Sequence, residues 1–171
     1  MSANPTTATA ASAARGLTTR HRSTLALAAL YLGAVSVLAT GVVHIQQYYG
    51  QNYSTIPTIG TLFFLNFVAA VVIALGLIAP LGRVTPRYAD AIRSLFAIGG
   101  IALGVLSLAA LFVSEGSGLF GFVENGYRTA IVLAMVAEIA ATIFLIVFLV
   151  ANGIPQTQIR KGRSHARSSS R

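Results

Sequence analysis

Four stretches, Thr24 to Ile45, Thr58 to Ala79, Ser94 to Ser114 and Thr129 to Ala151, stay apolar over a length that few soluble elements reach. At 1.5 Å of rise per residue, a helix of about 20 residues crosses the roughly 30 Å hydrocarbon layer of a bilayer. Composition agrees. Of 171 residues, 55% are hydrophobic and 9% charged, with a mean hydropathy of +0.74, whereas about a quarter of an ordinary soluble domain is charged. The expected fold is all-α, an integral membrane four-helix bundle. Residues 23–153 would form the four-helix domain, flanked by basic tails at 1–22 and 154–171 that read as disordered from their Ala, Thr and Ser content and their arginines.

The first span is expected to stay as an anchor, because its apolar run exceeds the 7 to 15 residues of a signal-peptide core and no Ala-x-Ala site follows. Pro57 suits the first turn of the second helix, and Pro80 with Gly82 stops it. Thr85-Pro86 reads as an N-cap and N1 pair that starts the third helix, with Asp90 near the positive end of its dipole. Asn152-Gly153 and Pro155 close the fourth.

Eleven of the twelve Lys and Arg residues lie in the two tails or between Arg83 and Arg93, all on one side of a four-span chain. The positive-inside rule makes that side the cytoplasm, with both termini, and the expected location is the plasma membrane, multi-pass. Arg128 is the exception, four residues after Glu124 and in reach of an i,i+4 ion pair. The net charge of +8 is explained by topology and by anionic lipid next to the spans, so no nucleic-acid partner is expected. Membrane lipid is the expected partner, with a protein partner or a second copy also open.

The stretch "HIQQYYGQNYSTIPTIGTLFFLN" from His44 to Asn66 contains no charge and therefore faces outward. Glu138 and Asn66 each lie about 12 to 14 Å inside their helices, and Ser36 reaches a similar depth. Gly33, Ser36, Thr40, His44 and Gln47 share one face of the first helix, and Ala130, Ala134, Glu138, Ala141 and Thr142 one face of the fourth. Gly100-x-x-x-Gly104, with Ser107 nearby, gives the third helix a small surface for close packing. A carboxylate at mid-bilayer costs several kcal/mol, so Glu138 is expected as the neutral acid, bonded to Asn66 or serving as a proton relay or ligand group.

The pattern of His44, a polar and aromatic loop, then "IPTIGTLFFLN" resembles small four-span membrane proteins of actinobacteria. The resemblance implies the four-span fold and draws attention to His44, Tyr53, Pro57, Gly60 and Asn66. It implies no mechanism.

His44 is the only histidine near a span, so a bis-histidine haem is not expected, and the chain has no cysteine, no HExxH, no P-loop and no GxSxG; no enzyme activity, metal or cofactor is expected. The ligand-binding or proton-relay residues expected from the sequence are Glu138, Asn66, His44, Ser36, Thr40, Tyr48, Tyr49 and Tyr53. They would line an outward-facing pocket under the loop from Gln46 to Thr55. The expected function is that of a small non-enzymatic accessory or interaction protein whose loop meets lipid, a small ligand or a partner. The alternative is a subunit of a proton-coupled transporter that uses Glu138.

Overall fold

The structure, a computed structural model, describes residues 5–121 and 128–152. The chain folds into α1 (Pro5–Gly50), a 3-10 turn (Tyr53–Thr55), α2 (Pro57–Ile78), a single-turn α3 (Leu81–Val84), α4 (Ala89–Gly116) and α5 (Thr129–Asn152). Among the described residues, four helices are long and apolar enough to cross a membrane, and the part of α1 that qualifies is Thr24–Gly50. The protein is an all-α, multi-pass membrane bundle.

The ends of these helices follow from local chemistry. Pro57 occupies the first turn of α2, and Ile56 before it is extended (φ −95°, ψ 107°), as the proline ring requires of its predecessor. At the other end of α2 the chain turns out at Ala79, ahead of Pro80. Three boundaries differ from the sequence reading. Thr85 and Pro86 do not start α4: they form a turn closed by Tyr88 N–H donating to the Thr85 carbonyl (3.0 Å), and α4 begins at Ala89. The fixed φ of proline serves position i+1 of that turn just as well as a helix start. Asp90 still falls in the first turn of α4, near the positive end of the dipole. At its other end α1 runs on through Gln46, Gln47, Tyr48 and Tyr49 to Gly50, so half of the expected loop is helix. Asn52 then takes the left-handed conformation (φ 56°) that its short side chain tolerates. The helix also continues N-terminally to Pro5, through the alanine-rich segment read from sequence as a tail. The C-terminal segment 154–171 lies outside the described residues.

The four long helices form a ring in the order α1, α2, α4, α5, with α1 packed most extensively against α5 and α2. Large apolar side chains such as Val35, Leu95, Leu106 and Val150 point outward and stay exposed, as lipid-facing residues do.

Toward the basic end, where the chain passes through Arg83 to Arg93, the ring is closed. Leu145 of α5 is wholly buried there. A Cβ added to Gly33 would lie 2.6 Å from its Cδ2, and one added to Gly100 would lie 2.6 Å from its Cδ1. The two glycines thus admit one leucine between α1 and α4. Phe96 of α4 lies against Gly76 of α2 in the same way, and the Arg93 guanidinium donates to the Ala79 carbonyl (3.3 Å), tying the start of α4 to the end of α2.

Because Leu145 is held from both sides, it cannot swing away from a new methyl group. Gly100→Ala should therefore lower the thermal stability of the detergent-solubilised protein by about 1 kcal/mol or more. Gly99→Ala, whose Cβ would meet Ile73 at an ordinary 3.7 Å, should stay within about 0.5 kcal/mol of the parent. Equal melting shifts for the two variants would show that Leu145 is not clamped.

Candidate functional site

At the opposite, tyrosine-rich end the helices stand apart around a cavity of about 350 Å³, within the roughly 300 to 1,000 Å³ range of ligand pockets. Its back wall is His44 and Gln47 of α1 with Ala130, Ala134 and Glu138 of α5. Its sides are α2, with Phe63 and Asn66, and α4, with Leu103, Ser107 and Ser114. Leu62 and Leu65 of α2 and Leu106 of α4 also line it, yet these side chains are 42%, 54% and 68% exposed. Residues that face both the cavity and the surroundings form a rim, so the cavity opens sideways between α2 and α4. The opening follows from the packing: these two helices meet through Phe96 on Gly76 near the basic end and through Ile73 beside Gly99 and Gly100 at mid-span, and diverge beyond that level.

His44 organises the polar wall. Its Nδ1 lies 2.9 Å from the Thr40 carbonyl oxygen, which can only accept, so Nδ1 carries the proton and donates. Nε2 is then free to accept from the Ser107 hydroxyl of α4, at 3.2 Å. This bond crosses the ring diagonally. Glu138 Oε1 stands 4.0 Å from the same Nε2, and Ser107 also lies beside the Glu138 carboxyl. The imidazole ring packs at a tilt of 46° against Phe63 (centroids 4.9 Å apart), which in turn meets Tyr53 edge-on (4.9 Å).

Close approach of the helices sets the position of Glu138. A Cβ on Gly104 would lie 3.1 Å from the Thr142 hydroxyl oxygen and 3.2 Å from the Glu138 carbonyl oxygen, so α4 passes close to α5 at that point. The small residues of the α5 stripe flank the acid as the sequence pattern expects. Glu138 itself is 2% exposed.

The sequence-derived site residues separate into three groups. Glu138, Asn66, His44 and Tyr53 line the cavity. Ser36 and Thr40 do not: the Thr40 hydroxyl donates to the Ser36 carbonyl (3.2 Å), and Thr40 acts through its own carbonyl on His44. Tyr48 and Tyr49 do not either. They pack edge-on against each other (4.8 Å), Tyr48 rests on Phe64 (5.9 Å), and Tyr49 is 68% exposed, the placement of an interfacial aromatic belt.

The expected bond between Asn66 and Glu138 is not formed. Asn66 Oδ1 and Glu138 Oε1 are both buried without a hydrogen-bond partner, and so is Gln47 Oε1. The three oxygens belong to residues that line the same cavity. Glu138 lies instead beside His44 and Ser107.

Two features escape a reading of the sequence. Ser107 registers there only as part of a packing surface, although it is the hydroxyl partner of His44. Arg128 registers as a partner of Glu124, which lies outside the described residues. In the structure the Arg128 guanidinium donates to Gln51 Oε1 (2.8 Å) and to the Tyr53 hydroxyl, and lies 5.8 Å from the Tyr53 ring centroid. It ties the start of α5 to the turn after α1 and holds Tyr53 in the wall. Gly60 completes this corner: a Cβ there would lie 2.5 Å from the Tyr53 carbonyl oxygen, so only glycine lets the 3-10 turn rest on α2.

No family model, no curated protein and no solved structure matches this chain.

Double-mutant cycles separate the two pairings. His44→Phe and Ser107→Ala should couple by about 0.6 kcal/mol, the average for hydrogen bonds between membrane helices. Asn66→Leu and Glu138→Gln should be additive in unfolding free energy, because no bond joins them. Coupling in the second pair without coupling in the first would reverse the assignment.

Proposed function

We propose that this chain is a non-enzymatic intramembrane binding protein that admits a small amphipathic molecule or lipid from the bilayer through the opening between α2 and α4. The observation that supports this most directly is the cavity itself. It has an apolar rim at the lipid-facing surface and, further in, a wall bearing His44, Ser107, Glu138 and two amides with unpartnered oxygens. An apolar body with a polar end fits such a gradient. Membrane lipid is thus both the surrounding medium and the source of ligand. The basic ends are assigned to the cytoplasm and the tyrosine-rich end to the outer face of the plasma membrane, on the distribution of Lys and Arg.

Proton-coupled transport with Glu138 is the second reading, supported by the carboxyl at mid-span facing the cavity. The packing beneath Glu138 weighs against it. Leu77, Leu145 and Phe148 are buried between the cavity and the basic end, and a transport cycle would have to open that contact.

Reconstituted protein can be photolysed with a long-chain alcohol bearing a diazirine, and the labelled peptides mapped by mass spectrometry. Labelling is expected on Leu103, Ser107 and Asn66, and it should fall severalfold in Ala134→Phe, where the new ring fills the cavity, while labelling of outward-facing Val35 stays unchanged. Labelling confined to outward-facing residues in both proteins would refute an accessible cavity.

Orientation is tested separately. A cysteine placed at Asn52 should react with an impermeant reagent on intact cells and one placed at Ser168 should not; the opposite result would invert the topology.

A further inference from the structure

Resting on that binding reading, the geometry points to a protonated amine with an apolar body as the class of ligand held in the cavity between α2 and α4. Three observations combine. First, the described wall offers unsatisfied acceptors: Gln47 Oε1, Asn66 Oδ1 and Glu138 Oε1 are buried and unpartnered, with Gln47 7% and Glu138 2% exposed overall. A buried acceptor without a donor is destabilising, so a ligand that supplies donors recovers that loss. An ammonium group has three N–H donors and no acceptor, which suits such a set.

Second, the charge balance has one sign. Glu138 is the ionisable acid of the wall, and among the described residues no Lys or Arg lines the cavity. His44 does not supply a cation, because its Nε2 is an acceptor for the Ser107 hydroxyl while Nδ1–H is bound to the Thr40 carbonyl. A phosphate or carboxylate headgroup would therefore meet a carboxyl and amide oxygens with no counter-charge. Arg128 is held by Gln51 and Tyr53, ten positions before Glu138 on the chain and so about 15 Å away along α5.

Third, the surroundings suit an amine that arrives without its charge. A neutral amine dissolves in hydrocarbon and can pass the rim of Leu62, Leu65 and Leu106. At the wall its nitrogen lone pair takes the proton of the Glu138 carboxyl, giving an ammonium beside a carboxylate with no net charge added to the membrane. Phe63 of the cavity lining packs against His44, whose Nε2 lies 4.0 Å from Glu138 Oε1, so an aromatic ring stands near the cation formed. This gives a mid-membrane carboxyl a use that a packing role does not.

The probes are isotope-labelled decylamine, 1-decanol and decanoate, which share a chain and differ in the head. Each is titrated against the full-length protein in nanodiscs, with empty nanodiscs as the reference for partitioning. Decylamine should bind saturably at one site and at least tenfold more tightly than decanol or decanoate. Glu138→Gln should remove that preference, bringing the affinity for decylamine to within about twofold of that for decanol. Gln47→Leu, which leaves the acid in place, should weaken decylamine severalfold and serves if Glu138→Gln proves unstable. Equal affinity for amine and alcohol, or a preference for the amine that survives both substitutions, would overturn the amine assignment and leave the cavity reading intact. Absence of saturable amine binding, with the diazirine alcohol still labelling the cavity, would do the same. Absence of both would remove the binding site as well.

Discussion

Leu145 sits where α1, α4 and α5 come together, its two terminal methyl groups directed at Gly33 and Gly100. In a bilayer the lipid tails are as apolar as leucine, so nothing resembling the hydrophobic effect draws helices together; close contact between backbones and side chains must do it. Glycine at both positions permits that contact, and Phe96 over Gly76 repeats it between α4 and α2. Both contacts lie toward the basic end or the middle of the spans. α2 and α4 meet at Gly76 and Gly100, and the cavity lies beyond them toward the tyrosine-rich end, lined by both helices.

Much of this architecture is legible in the chain. Length and hydropathy define the four spans, and the i, i+3, i+4 spacing places Gly33, Thr40, His44 and Gln47 on the buried face of α1 and Glu138 and Ala141 on that of α5. The same spacing does not say which residue of a facing helix each will meet. His44 and Ser107 are 63 positions apart, and Arg128 and Tyr53 are 75 apart; which pairs form depends on the rotation and height of whole helices. Asn66 and Glu138 have matching depth and still do not bond, because depth fixes only one of three coordinates. Local signals were ambiguous in a different way. Thr85-Pro86 fits both a helix start and a turn, and the choice went to the turn closed at Tyr88.

The polar groups of the site also explain one another. A histidine in the membrane must find partners for both ring nitrogens or lose the corresponding hydration. Thr40 satisfies one through its backbone carbonyl and Ser107 the other through its hydroxyl, so His44 is fixed in one tautomer and one orientation by two different helices. That arrangement leaves Glu138 next to an acceptor that is already occupied. Its Oε1 is unpartnered, although Ser107 lies beside the carboxyl. The unpartnered oxygens of Gln47, Asn66 and Glu138 all belong to residues that line the cavity.

The cavity is bounded at the tyrosine-rich end by a corner that depends on a charge. Arg128 bonds to Gln51 and to the Tyr53 hydroxyl and lies against the Tyr53 ring, while the glycine at position 60 lets the turn bearing Tyr53 settle on α2. Tyr53 in turn packs edge-on against Phe63, and Phe63 against His44. A chain of contacts therefore runs from a cation at the membrane surface to the imidazole in the interior, through aromatic rings that have few alternative rotamers once packed. Displacing Arg128 would free Tyr53 first and loosen Phe63 next, whereas the bonds of His44 to Thr40 and Ser107 come from other elements and would persist. The corner at the tyrosine-rich end and the bonds of His44 are thus made by different groups and are joined through the ring of Phe63.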